Sequence, residues 1–68
     1  MIKFVIQALR QLKRGEPDKA LTAIGRTAKL RKSDSNRRAL KHARDEAELG
    51  DPAKAQIHLE SVLLDLKK

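Results

Sequence analysis

The sequence of 68 residues contains no cysteine, tryptophan or tyrosine, and Phe4 is its only aromatic residue. Without cysteine, disulfides and thiolate metal sites are excluded, so we expect a cytoplasmic protein rather than a secreted disulfide scaffold. With a single aromatic ring, a platform on which nucleic-acid bases stack is nearly excluded. No apolar run approaches the ~20 residues that span a bilayer. A small domain of this composition has to fold without disulfide bonds or thiolate-bound metal ions to stabilise it.

Glycine and proline are scarce, and they stand where helices would end and begin. Gly15 and Pro17 mark one break, Gly50 and Pro52 mark another, and the polar stretch 32–35 makes the third. A glycine suits the residue after a helix, and a proline suits the first turn of the next one. Between the breaks good helix formers dominate and strand-like alternation is absent, so we predict an all-α fold. The helices are expected over 2–14, 17–31, 35–49 and 52–67.

Apolar residues recur at helical spacing in every segment, so each predicted helix has a face to bury. Asp34 or Ser35 can cap the third helix by accepting a bond from a free backbone N–H. The fourth segment also carries Ile57 and Leu64 on the side opposite its main stripe, which predicts a second apolar face. The stripes are Ile2, Val5, Ile6, Leu9 and Leu12; Leu21, Ile24 and Ala28; Leu40, Ala43 and Ala47; and Ala55, Leu59, Val62, Leu63 and Leu66.

The chain repeats itself at an offset of 35 residues. A pattern of glycine, acid, proline, any residue, lysine and alanine begins at Gly15 and again at Gly50. The alanines that end the pattern, Ala20 and Ala55, are small enough to let paired helices approach closely. The sequence therefore states one helical hairpin twice within a single domain, residues 1–68. The antiparallel hairpins are expected over about 2–31 and 35–67.

A helical hairpin repeated at about 34 residues resembles the tetratricopeptide repeat, and two such units cover nearly the whole chain. The sequence departs from the family pattern at His42 and Glu46, which stand where the third helix would carry large apolar residues. The closing proline of each unit is also missing. A plain four-helix bundle is therefore the other arrangement that the sequence allows. The matching residues are Phe4, Ala8, Gly15, Ala20, Ile24 and Leu30, then Ala43, Gly50, Ala55, Leu59 and Val62.

The resemblance implies a non-enzymatic module that binds a helix of another protein, or a second copy of itself, in a groove lined by the first helix of each hairpin. Ordinary packing would instead bury the apolar stripe of the first helix, and both alternatives remain open. Ile57 and Leu64 are further candidates because one chain cannot cover them, and we expect a homodimer. The groove candidates are Ile2, Val5, Leu9 and Leu12 from the first unit and Arg37, Leu40, Lys41 and Arg44 from the second.

Positive charge is concentrated in the middle of the chain, and the net charge is +7. The segment Arg26–Arg44 has eight basic residues against Asp34 alone, whereas residues 45–66 have six acids against Lys54. Such a segment attracts polyanions, so RNA or DNA, contacted at its phosphates without sequence specificity, is the alternative partner. The same asymmetry would let one copy attract another head to tail.

No arrangement of residues points to catalysis. His42 and His58 are the only histidines, no cysteine accompanies them, and no glycine lies in a phosphate-binding motif. His42 and Glu46 are four residues apart and could share a metal or a proton, but an exposed helix face is the plainer interpretation. We expect no enzyme, no metal and no cofactor. The basic first helix has the composition of a membrane-surface helix, yet we expect it in the folded unit because the repeat begins at Phe4.

Overall fold

The computed structural model describes residues 1–68 and consists of four α-helices, which confirms the all-α prediction. The helices pair as two hairpins, α1 with α2 and α3 with α4. In addition α1 packs against α4 and α2 against α3, so the helices close into a ring around one core. None of them has the length and apolar character needed to cross a bilayer. Their bounds are α1 Ile2–Lys13, α2 Pro17–Gly25, α3 Asp34–Glu48 and α4 Pro52–Leu66.

The two hairpin turns have the same backbone conformation and hydrogen bonds, as expected from the repeated sequence pattern at Gly15 and Gly50. Gly15 and Gly50 adopt φ values of +74° and +83°, the left-handed region in which glycine alone is unstrained. In both turns the amide after the glycine donates, at 2.8 Å, to the carbonyl five residues earlier. Pro17 and Pro52 then begin the following helices. These bonds satisfy carbonyls at the helix end, and the chain reverses within three residues.

The core depends on alanine as well as on branched side chains. Four alanines at equivalent positions in the two hairpins have no exposed surface, as the repeat predicts. Their methyl groups allow close helix packing, and larger side chains fill the space beside them. The four are Ala8, Ala20, Ala43 and Ala55. The other buried apolar residues are Val5, Leu9, Leu12, Ala23, Ile24, Leu40, Ala47, Leu59 and Val62.

The second helix is shorter than the sequence predicts, because α2 ends at Gly25 and not near residue 31. Residues 26–29 continue as turns, and the amides of Thr27, Ala28 and Leu30 donate to carbonyls three residues back. Gly25 is exposed, and a glycine within a helix costs about 1 kcal/mol relative to alanine. The ammonium of Lys32 donates to the carbonyls of Thr27 at 2.6 Å and Leu30 at 2.7 Å, which ends the segment. Ala28, expected in the buried stripe, is consequently exposed.

The cap of the third helix is Ser33, one residue before the first of the two predicted caps. Its Oγ accepts a bond from the amide of Asn36 at 3.2 Å, whereas Asp34 lies in the first turn, where a negative charge suits the helix dipole. Asn36 is buried, and its Nδ2 donates to the carboxylate of Asp65 at 2.9 Å. This bond ties the beginning of α3 to the end of α4.

Candidate binding cleft

A cleft of about 260 Å³ lies between α3 and the unit formed by α2 and the turn after it. Its floor is apolar, because the nearly buried side chains of Ile24 and Leu40 meet there. A Cβ at Gly25 would meet nothing within 4 Å, so the α2 side of the cleft is open. No acidic residue lines it. The basic residues around the floor, here called the cleft cations, are Lys32, Arg37, Lys41 and Arg44.

Three of the cleft cations project from one face of α3 at positions i, i+4 and i+7, over about 10.5 Å of helix. Arg37 lies 3.7 Å from Asp34 and Arg44 lies 4.0 Å from Glu48. Both pairs are largely exposed, so each contributes at most about 1 kcal/mol. Lys41 makes no ion pair. The charge on this face is therefore available to an anionic partner.

Lys32 has a different role from the other cleft cations. Its Nζ donates to the carbonyls of Thr27, Ala28 and Leu30 at 2.6, 3.2 and 2.7 Å. These are backbone acceptors that the early end of α2 leaves without helical partners. Lys32 therefore holds the turn that forms one wall of the cleft, and its charge adds to the positive potential there.

No family model, curated protein or solved structure matches the chain, so the informative comparison is between its own two halves. At the 35-residue offset α3 corresponds to α1 and α2 to α4, so the contact of α2 with α3 corresponds to that of α1 with α4. On the α2 side the exposed Ala28 replaces the partly buried Leu63. The α3 residues Arg37, Lys41 and Arg44 replace Ile2, Ile6 and Leu9 of α1. The cleft is therefore the counterpart of a filled interface from which aliphatic volume has been removed.

The structure divides the sequence-predicted binding residues between core and surface. Val5 and Leu9 are only 1% and 7% exposed, because α1 packs against both α2 and α4. They belong to the core and cannot line an open groove, so the packing alternative holds for them. Ile2 is 39% exposed and stays at the surface, outside the cleft. Arg37, Lys41 and Arg44 do come together, with the expected neighbour Leu40 beneath them.

The remaining predicted residues form a separate exposed surface on α4. Ile57 and Leu64 are 64% and 66% exposed, and their seven-residue separation puts them on one side of the helix. Glu60 lies between them, is exposed, and makes no ion pair. We call Ile57, Glu60 and Leu64 the α4 outer face. It combines uncovered aliphatic surface with a free carboxylate.

Two further depressions carry cations and no acids. One lies along the outer side of α1, and the other lies in the groove between α1 and α2. Gln7 and Gln11 line both, so the two are contiguous. Their cations are Lys3 and Arg10 on α1, Lys19 on α2, and Arg14 and Arg26, which directly follow these two helices. Together with the cleft cations they extend positive charge over the sides of α1, α2 and α3.

The two histidines meet across the α3–α4 pair, an arrangement that sequence reasoning missed. The rings of His42 and His58 stack with centroids 5.5 Å apart and planes 30° apart. Spacing along one helix is the only proximity that a sequence displays directly, and it brings His42 close to Glu46 but not to His58. No three of the His, Asp and Glu side chains are grouped as a metal ion would need. The pair has the geometry of ring packing between two helices.

Proposed function

We propose that the chain is a small non-enzymatic module that binds a helical segment of a protein in the cleft between α2 and α3. The observation that supports this function is the set of three α3 cations at helical spacing beside an apolar floor, in a cleft that no acidic residue lines. A partner helix with carboxylates at matching spacing and one or two large aliphatic side chains suits such a surface. At about 260 Å³ the cleft is smaller than the roughly 300–1,000 Å³ typical of small-molecule sites.

The two parts of the cleft contribute differently to binding. An aliphatic side chain that becomes fully buried against Ile24 and Leu40 gains about 1.5–3 kcal/mol. The exposed ion pairs to Arg37, Lys41 and Arg44 add little affinity each, but they set the orientation of the partner and speed its approach. The cost of association offsets much of these contributions, so we expect a weak contact with a Kd on the order of 10–100 μM.

A labelled synthetic peptide tests this function. The peptide has about 18 residues, enough to be helical, with two leucines seven residues apart and glutamates between them on the same face. In fluorescence anisotropy we expect the parent protein to bind it. Arg37→Glu combined with Lys41→Glu should weaken binding at least about tenfold, or ~1.4 kcal/mol.

The matched control is Arg10→Glu combined with Arg14→Glu, which changes the net charge by the same amount on the outer side of α1. This control should bind the peptide like the parent. Equal losses in the two double variants would show that net charge, and not the cleft, attracts the peptide. The proposal would then be wrong.

A second candidate function, binding to RNA or DNA phosphates, is favoured by the exposed cations that extend over the sides of α1, α2 and α3. Each phosphate contact releases counterions, so affinity for a short DNA duplex or an RNA hairpin should fall steeply between ~50 and ~200 mM salt. Here both double variants should lose affinity, because each replaces two of these exposed cations with carboxylates. Nucleic-acid binding that survives in the α1 variant at full strength would contradict this extended surface.

A further inference from the structure

The α4 outer face carries the groups that the cleft lacks. Ile57 and Leu64 are each about two-thirds exposed, and no part of their own chain covers them. Glu60 between them is a free carboxylate on the same side of the helix. We infer that the cleft between α2 and α3 of one copy receives the α4 outer face of a second copy. This inference rests on the proposed function of the cleft and names its occupant.

The two surfaces match in length and in charge. Arg37 to Arg44 and Ile57 to Leu64 are both seven residues apart, so each patch extends about 10.5 Å along its helix. The carboxylate of Glu60 from the second copy would then lie beside the α3 cations of the first copy. Ile57 and Leu64, on either side of Glu60, would contact the apolar floor of the first copy's cleft. The charge of the surrounding segments agrees, since Arg26–Arg44 is strongly basic and residues 45–66 are acidic.

Other pairings of two copies fit less well. If the α4 outer faces met each other, Glu60 of each copy would approach its equivalent within two acidic segments, and like charges would repel. Val5 and Leu9 of the aliphatic stripe of α1 cannot contact α4 of a second copy, because the protein's own helices already cover them. The depression on the outer side of α1 also combines cations with aliphatic side chains, but there Ile2 and Ile6 occupy the positions that Arg37 and Lys41 have in the cleft. A cleft variant that still associates by itself would point to that depression instead. Two different surfaces thus meet, and the contact is heterologous.

The expected association is weak. A contact built on two aliphatic side chains and a few ion pairs lies at or below the ~1,000 Å² expected of a stable interface. We therefore expect mass above 7.7 kDa by light scattering to appear at roughly 10–100 μM protein, where binding of micromolar strength becomes visible. High salt should reduce the association without abolishing it, since screening weakens only the charged part.

A mixing experiment tests the pairing directly. The cleft variant, Arg37→Glu with Lys41→Glu, keeps its α4 outer face, and the α4 variant, Ile57→Lys with Leu64→Lys, keeps its cleft. Each variant alone should be monomeric at ~100 μM. An equimolar mixture should form a species of twice the 7.7 kDa mass, because one intact cleft then meets one intact α4 outer face. The changed side chains are exposed, and circular dichroism checks that each variant is helical.

Several results would overturn the pairing. A parent that is monomeric at ~100 μM would do so, and so would a cleft variant that still associates by itself, or a mixture that remains monomeric. If either double variant unfolds, the same mixing experiment is done with the milder variants Lys41→Gln and Leu64→Ser. If the parent is monomeric but still binds the synthetic acidic peptide, the proposed function of the cleft is supported. Only the inference that a second copy occupies the cleft is then wrong.

Discussion

Filling the cleft with the side chains of its counterpart should stabilise the protein. The double change Lys41→Ile with Arg44→Leu gives α3 the residues that α1 has at Ile6 and Leu9. Leu9 is 7% exposed where it packs, and full burial of a leucine contributes about 1.5–3 kcal/mol. Ile6 is half-buried and contributes about half of that range.

The expected gain is smaller than this sum for two reasons. The helix that faces α3 has nine residues, whereas α4, which faces α1, has fifteen, so less surface is available for contact. The variant also loses the exposed pair between Arg44 and Glu48, which contributes at most about 1 kcal/mol. We therefore expect the free energy of unfolding to rise by about 1–2 kcal/mol. A chain of this size has roughly 3–10 kcal/mol in total, so the change is large enough to measure.

Urea unfolding followed by circular dichroism at the helix band measures this change. With a slope near 1 kcal/mol per molar urea, the midpoint should move up by about 1–2 M. The matched control Arg38→Leu places a similar aliphatic group on an exposed position of α3 outside the cleft and should leave the midpoint in place. A midpoint that does not rise, or that rises as much in the control, would refute the idea that the cleft is an unfilled interface. Peptide binding should be lost in the double variant.

Three further predictions concern the packing, the glycines and a helix cap. Ala55→Leu should overpack a fully buried position and lower the free energy of unfolding by about 1–3 kcal/mol, whereas Ala53→Leu on the exposed side should not. If the two variants have the same melting temperature, the repeat alignment is wrong. Gly50→Ala should destabilise the protein by about 1 kcal/mol, because φ is positive at this position. Gly25→Ala should stabilise it by about 0.5–1 kcal/mol, because this helical glycine has room for a Cβ. Urea midpoints that move in the same direction for both variants would contradict these backbone conformations. Ser33→Ala should lower stability by about 1 kcal/mol through loss of the cap on Asn36, and an unchanged urea midpoint would show that the cap contributes nothing.

Part of the candidate site could be predicted from the sequence. The spacing of Arg37, Lys41 and Arg44 puts them on one helix face in any fold that keeps α3 helical, and that face is where the structure has them. The exposure of Ile57 and Leu64 also followed from their position opposite the main stripe of the fourth helix. The apolar floor could not be predicted, because Ile24 and Leu40 belong to different helices and only the contact of α2 with α3 brings them together.

The sequence by itself determined that there are four helices and where the two hairpin turns lie, but not where α2 ends. Those features depend on local properties: the φ angles open to Gly15 and Gly50, the fixed φ of Pro17 and Pro52, and helical spacing of apolar residues. The position of the buried alanines followed as well, since each hairpin has to pack its own two helices. Such signals act within a few residues, so they can be recognised without knowing the rest of the fold.

Only the tertiary structure decided which helices of the two hairpins meet. Contact of α1 with α4 buries Val5 and Leu9, so these two residues belong to the core. The corresponding contact of α2 with α3 is left partly open, because Lys41 and its neighbours cannot enter an apolar interface and Gly25 ends the helix early. Local spacing shows that a side chain shares a face with others, but burial depends on which distant residues cover that face.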